Sequence, residues 1–153
     1  MSYLGGEDMN VIFLDFNGVL DTNLNMDVID QGNLMRLKNL VDMFDAKVVI
    51  SSSLKNPFYY NGRHSKMFQS ILEQLLEAGI DVIGITPQGN SREEEITMYL
   101  NDHPNISNYC ILDDDYDMGS LKDHLVKLPT QMSEGQMGFT QEYMDKAIRI
   151  LGR

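Results

Sequence analysis

Strand-like and helix-like segments alternate along the chain, which predicts an α/β protein: a three-layer sandwich with a parallel central sheet and helices on both faces. Three observations carry this. Short runs rich in β-formers recur, each followed by a segment with apolar residues at helical spacing. The strongest of these runs are apolar at every position rather than at every second one, the pattern of a strand covered on both sides. The length, 153 residues, suits one domain and leaves little for a second, so a single domain 1–153 is expected, with its core at about 11–151.

Val11-Ile12-Phe13-Leu14 is the first strand, ending at Asp15 and entering a turn at Asn17-Gly18. Leu34, Leu37, Leu40, Val41 and Phe44 recur at helical spacing. Lys47-Val48-Val49-Ile50 is a second buried strand, stopping at Ser51-Ser52-Ser53. Met67, Ile71, Leu72, Leu75 and Leu76 mark a second helix, which Gly79 closes in the C-cap position. Asp81 to Ile85 is a third strand. Ser91 with Glu94 three residues on has the capping-box pattern and opens a helix through about Leu100. Tyr109-Cys110-Ile111-Leu112 is a fourth strand, running directly into Asp113-Asp114-Asp115, and a weaker fifth lies at His124 to Leu128. Thr140 caps a last helix carrying Tyr143, Met144, Ala147, Ile148 and Leu151. Residues 56–65 and 129–138 are the expected long loops.

The formal charge of −11 disfavours general binding to nucleic acid and suits a divalent-cation site. Tyr59 and Tyr60, with Arg63, His64 and Lys66, form one locally basic, aromatic patch, read first as an exposed loop. The eleven methionines are read mostly as flexible core filler. Cys110 is the only cysteine, expected as an inert buried thiol in a reducing compartment. The first ten residues carry Glu7 and Asp8 without an apolar stretch, and no run approaches a membrane span, so a cytoplasmic protein with no membrane partner is expected.

In open parallel sheets ligands bind beyond the carboxyl ends of the strands. Asp15, Ser51 with Ser52, and Asp113 with Asp114 stand at three such ends and should share one crevice. Converging acids need a counter-charge or a raised pKa, and oxygen-only ligands point to Mg²⁺. A carboxylate can also attack phosphorus, with hydroxyls and a cation holding the phosphoryl oxygens.

Val11 to Thr22 resembles the first motif of the haloacid dehalogenase superfamily, an apolar strand followed by D-x-D-G-V/T-L. Val48-Val49-Ile50-Ser51-Ser52 resembles its second motif and Tyr109 to Asp115 its fourth; Arg92 is the best match to the third-motif cation, with Lys55 the runner-up. The Ser run, the Arg opening a Glu-Ile helix and the Leu-Asp-Asp-Asp strand end are most similar to the branch found in Swiss Army knife RNA repair proteins. This resemblance implies a Rossmannoid fold with minimal or no cap and a Mg²⁺-dependent phosphohydrolase or phosphotransferase. It implies Asp15 as nucleophile and metal ligand, the backbone carbonyl of Asn17 as a second ligand, and Asp113 or Asp114 completing the site. Ser51 or Ser52 would bind the phosphoryl group and Arg92 would neutralise it.

Asn17 departs from the pattern, because that position is the general acid and base in phosphatases of this type. An amide exchanges no proton, so hydrolysis should slow by ~10²–10⁴-fold. A naturally slow or non-hydrolytic member, an introduced substitution, or an acid from elsewhere such as Asp21 would each account for it. The alternative function is a catalytically impaired protein that binds a phosphorylated ligand or partner. A receiver-type domain is excluded, since its acidic pair belongs after the first strand. Residues 22–33 and 56–65 are too short for a full cap. An open site suits a phosphorylated, macromolecular substrate; a nucleic-acid end is included in that class but not supported by the charge.

Overall fold

The computed structural model describes residues 8–26, 28–51, 63–114 and 118–153, and for 63–65 the backbone alone. The chain runs β1 (Met9–Leu14), α1 (Gln31–Phe44), β2 (Lys47–Ile50), α2 (Arg63–Glu77), β3 (Val82–Ile85), α3 (Arg92–Asp102), β4 (Ile106–Asp113), a 3-10 helix (Gly119–His124), β5 (Leu125–Lys127) and α4 (Gln141–Leu151). The five strands form one sheet in the order β3-β2-β1-β4-β5, and every pairing is parallel. The expected α/β sandwich is therefore the observed one.

Pleating sorts the strand residues onto the two faces. Ile12, Leu14, Val48, Ile50, Cys110, Leu112 and Val126 pack with α1, α2 and α4 in the larger core. Val11, Phe13, Val49 and Ile111 face the other way, against Ile96 and Tyr99 of α3 and against Met118. Phe13 makes edge-on contacts with Tyr99 and Tyr109, with ring centroids 5.8 Å apart in both pairs. Cys110 is fully buried in the larger core, and burial raises its thiol pKa, which suits an inert side chain.

The helix ends follow local chemistry. Asp30, which sequence pattern did not single out, caps α1 by accepting from the Asn33 N–H. Gly79 has φ +79 and returns its N–H to the Leu76 carbonyl, the left-handed cap expected after α2. Ser91 accepts from the Glu94 N–H at 3.0 Å, but Glu94 reaches back to the Asn90 N–H, one residue before the capping-box partner. Thr140 sits at the N-cap of α4 without a side-chain cap bond.

Two expectations are corrected. α2 begins at Arg63, so the loop expected at 56–65 is shorter at its end. The methionines are core filler only in part: Met118 and Met144 are buried and Met9 and Met67 pack against the cores, whereas Met26, Met35, Met43, Met132 and Met137 are exposed. The exposed ones stand on the outward side of α1 or in the stretches at 23–26 and 131–137, where no packed layer among the described residues covers them.

No helix among the described residues is long and apolar enough to cross a membrane. The described residues between β1 and α1 form turns and bends with no inserted cap element.

Candidate functional site

The sheet ladder continues one residue past the strands, and this aligns the site. The Asp15 N–H bonds to the Leu112 carbonyl at 3.0 Å, and the Ser51 N–H to the Leu14 carbonyl at 2.8 Å. Asp15, Ser51 and Asp113 thus stand side by side at the tips of β1, β2 and β4, on the α3 face by strand alternation. The strand order turns back between β1 and β4, so the row lies at the switch point of the sheet.

Asp15, Asp113 and Asp114 are all buried, and one oxygen from each lies within 4.8 Å of the others. Two like charges about 4 Å apart repel by ~4 kcal/mol at an effective dielectric of ~20, so the trio needs compensation. Arg92, the first residue of α3, supplies part of it: its Nη1 is 2.6 Å from Asp113 Oδ2 and 3.8 Å from Asp15 Oδ1. The same nitrogen donates to the Ser51 carbonyl, and Nε lies 3.8 Å from Glu95 Oε1. The guanidinium is thereby tied to β1, β2, β4 and its own helix, and only 7% of it is exposed. Burial, followed by the charge of Asp113, drives the Asp15 carboxyl well above the ordinary carboxylate range; Arg92 opposes this, and Asp114 adds to the rise.

The donor set fits a hard divalent cation. Three buried carboxylates converge, all with oxygen ligands, and their mutual repulsion is what such an ion relieves. Asp15, Asp113 and Asp114 would hold it, with the Asn17 carbonyl as the further ligand the resemblance implies. The Ser51 hydroxyl, 1% exposed, finds no hydrogen-bond partner among the described residues, as expected of a group kept for a ligand. Ser52 and Lys55 lie outside the described residues, as do Tyr59, Tyr60, Asp115 and Asp117; of Arg63 and His64 only the backbone is described.

The turn after β1 is held in close contact with Asp114. Val19 and Leu20 N–H groups bond back to the Phe16 carbonyl, and buried Phe16, Val19 and Leu20 anchor the turn in the core. Gly18 has φ +81, and a Cβ there would come within 2.1 Å of Asp114 Oδ2. Asp21, fully buried, accepts from the Gly18 N–H at 2.6 Å, from Asn17 Nδ2 at 3.1 Å and from Gln131 Nε2 at 2.7 Å.

The expected long loop at 129–138 straps this turn in place. The Gln131 N–H donates to Asp114 Oδ2 at 2.9 Å, and Gln136 Nε2 to the Gly18 carbonyl at 2.6 Å. The Phe139 N–H bonds to the Val19 carbonyl at 2.7 Å. Gln131 and Gln136 escaped sequence reasoning because nothing local marks a loop glutamine that bonds a residue more than 100 positions away. Glu95 carried a faint signal, its i,i+3 spacing from Arg92.

The sequence profile of the family described as the haloacid dehalogenase (HAD) domain in Swiss Army Knife RNA repair proteins matches residues 11–143. That span runs from within β1 to the start of α4 and includes every residue of the acidic row. No curated protein matches the chain.

Proposed function

The chain belongs to the family of HAD domains found in Swiss Army Knife RNA repair proteins, and from that membership we propose a Mg²⁺-dependent phosphoryl-transfer site acting through an aspartyl-phosphate on Asp15. The observation that carries the proposal is the buried row of Asp15, Asp113 and Asp114 beside Arg92 and a Ser51 hydroxyl that has no hydrogen-bond partner among the described residues.

In this reading an Asp15 carboxylate oxygen attacks phosphorus, the bond to the leaving oxygen breaks, and an acyl-phosphate forms. A bound Mg²⁺ would lower the negative charge on the carboxylates and on the phosphoryl oxygens. Arg92 would neutralise one equatorial oxygen, and the Ser51 hydroxyl would donate to another. Water then attacks phosphorus, the P–O bond to Asp15 breaks, and the carboxylate is regenerated. Both half-reactions use a proton carrier at position 17, and the Asn17 amide cannot serve. Asp21 is poorly placed to substitute, since it is fully buried and engaged by three N–H donors. Slow turnover with a long-lived phosphoryl-enzyme follows. A protein that binds a phosphorylated partner without turning it over is the second reading, and Asn17 is its support.

The substrate we propose is a phosphorylated macromolecule, since no cap element closes the described part of the site. The relatives are named for RNA repair, which brings in a phosphorylated nucleic-acid end; the formal charge of −11 opposes it.

p-Nitrophenyl phosphate tests the chemistry well, because p-nitrophenolate leaves without needing a proton. With Mg²⁺ the expected result is a burst of about one p-nitrophenolate per protein, slow release of phosphate, and phosphate on Asp15 by mass spectrometry after acid quench. Asp15→Ala and chelation should abolish all three. No burst and no labelled Asp15 would sink the phosphoryl-transfer reading and leave the binding one.

A further inference from the structure

We propose that Asp21 is a positioning residue that selects an amide rather than an acid at position 17, so that the slow site is specified by a buried hydrogen-bonded string and not by Asn17 alone. The inference rests on the phosphoryl-transfer reading for its meaning in turnover, and on geometry for its existence.

The string is Asn17–Asp21–Gln131–Asp114. Asn17 Nδ2 donates to Asp21 Oδ2 at 3.1 Å, and Gln131 Nε2 donates to the same oxygen at 2.7 Å. The other Asp21 oxygen takes the Gly18 N–H at 2.6 Å. Each of these three partners brings an N–H, so both Asp21 oxygens serve as acceptors. The Gln131 main chain then carries the string to Asp114, donating at 2.9 Å. Position 17 therefore lies within hydrogen-bond reach of a fully buried acceptor. A carboxylate placed there would lose the donor and set two acceptor oxygens about 3 Å apart, where like charges repel strongly.

Replacing Asn17 by Asp should then fail to give a working acid and base. The new side chain must either rotate away, leaving Asp21 short of a donor, or share a proton with Asp21. Exchanging the pair restores complementarity: in N17D/D21N the residue at 21 offers its amide N–H to the carboxylate at 17 and keeps a carbonyl oxygen for Gly18. Gln131 needs only to turn its amide over to present its oxygen.

The test compares wild type, N17D, D21N and N17D/D21N by two independent readouts. The first is urea denaturation without substrate or metal. N17D should lower the midpoint, and adding D21N should recover most of the loss, so that the double variant lies well above the sum of the two singles. Additive midpoints would overturn the inference.

The second is steady-state p-nitrophenyl phosphate turnover with Mg²⁺. N17D/D21N should exceed both wild type and N17D in kcat, on the order of 10²-fold, with KM rising alongside it, since faster hydrolysis of the phosphoryl-enzyme leaves kcat/KM set by the burst step. Equal gains in N17D and the double variant would also overturn the inference. A wild-type protein with no burst would remove the Asp15 reading, and the denaturation cycle would then decide the role of Asp21 by itself.

Discussion

Asp15 is held between opposing influences, and its response to pH follows from them. Burial and the charges of Asp113 and Asp114 outweigh Arg92, so its carboxyl keeps a proton longer folded than unfolded. A carboxyl with a folded pKa above its unfolded one binds more protons in the native state, and stability then falls as pH rises between the two values. In chelator, thermal midpoints should therefore decline from mild acid toward neutral pH, and Asp15→Asn should flatten that decline and raise the neutral midpoint. Added Mg²⁺ should reverse the order at neutral pH and lose its effect in acid, where protons compete for the same oxygens. Differential scanning fluorimetry across pH, with and without Mg²⁺, checks both. Arg92 is the opposite case. Removing its guanidinium in Arg92→Met breaks the buried pair with Asp113 at 2.6 Å, and breaking such a pair typically costs about 3–5 kcal/mol. Urea titration should show that loss, and the surviving folded protein should no longer bind phosphate mimics.

At the scale of elements, the site depends on the turn after β1 and on the strap at 129–138. Gly18→Ala asks an L-residue to adopt φ +81 while its Cβ collides with Asp114, so we expect a loss of at least ~2 kcal/mol together with weakened Mg²⁺ stabilisation. Gln136→Ala should be gentler. It strips the side-chain donor from the buried Gly18 carbonyl, and an unsatisfied buried acceptor costs about 1–3 kcal/mol, readable by the same denaturation. These elements also mark how far the sequence could be read. β1, β2 and β4 were legible because each is a short run apolar on both faces, and the acids at their tips were legible because a parallel sheet gathers its strand ends. The strap was legible only as a loop. Its bonds to Gly18, Asp21 and Asp114 depend on side-chain reach across the fold, which has no period along the chain. The burial of Asn33 was equally silent: it lies inside an amphipathic helix yet is fully buried, donating to the Met137 carbonyl and accepting from Arg36. The methionines were legible only in part, because composition reports how many there are, not which side of an element they occupy.

For the whole molecule, the sheet order places Asp15 on the central strand, with Asp113 and Ser51 on its two neighbours. Any ligand that bridges Asp15 and Asp113 links strands that belong to the two halves of the chain, so binding should stabilise the fold globally. At a Mg²⁺ concentration one hundred times its dissociation constant, the expected gain is about 2.7 kcal/mol. Midpoints measured over a Mg²⁺ series should rise logarithmically, and Asp113→Ala should abolish the rise. The strap carries a consequence in time as well as in space. The turn holding Asn17 and Gly18 is synthesised more than a hundred residues before Gln131 and Gln136. During translation the acids of β1 and β4 can meet before the turn after β1 is fastened, and residues 129–138 do the fastening. A chain released before residue 129 would carry Asp15, Asp113 and Asp114 and still lack the strap that holds the turn against them.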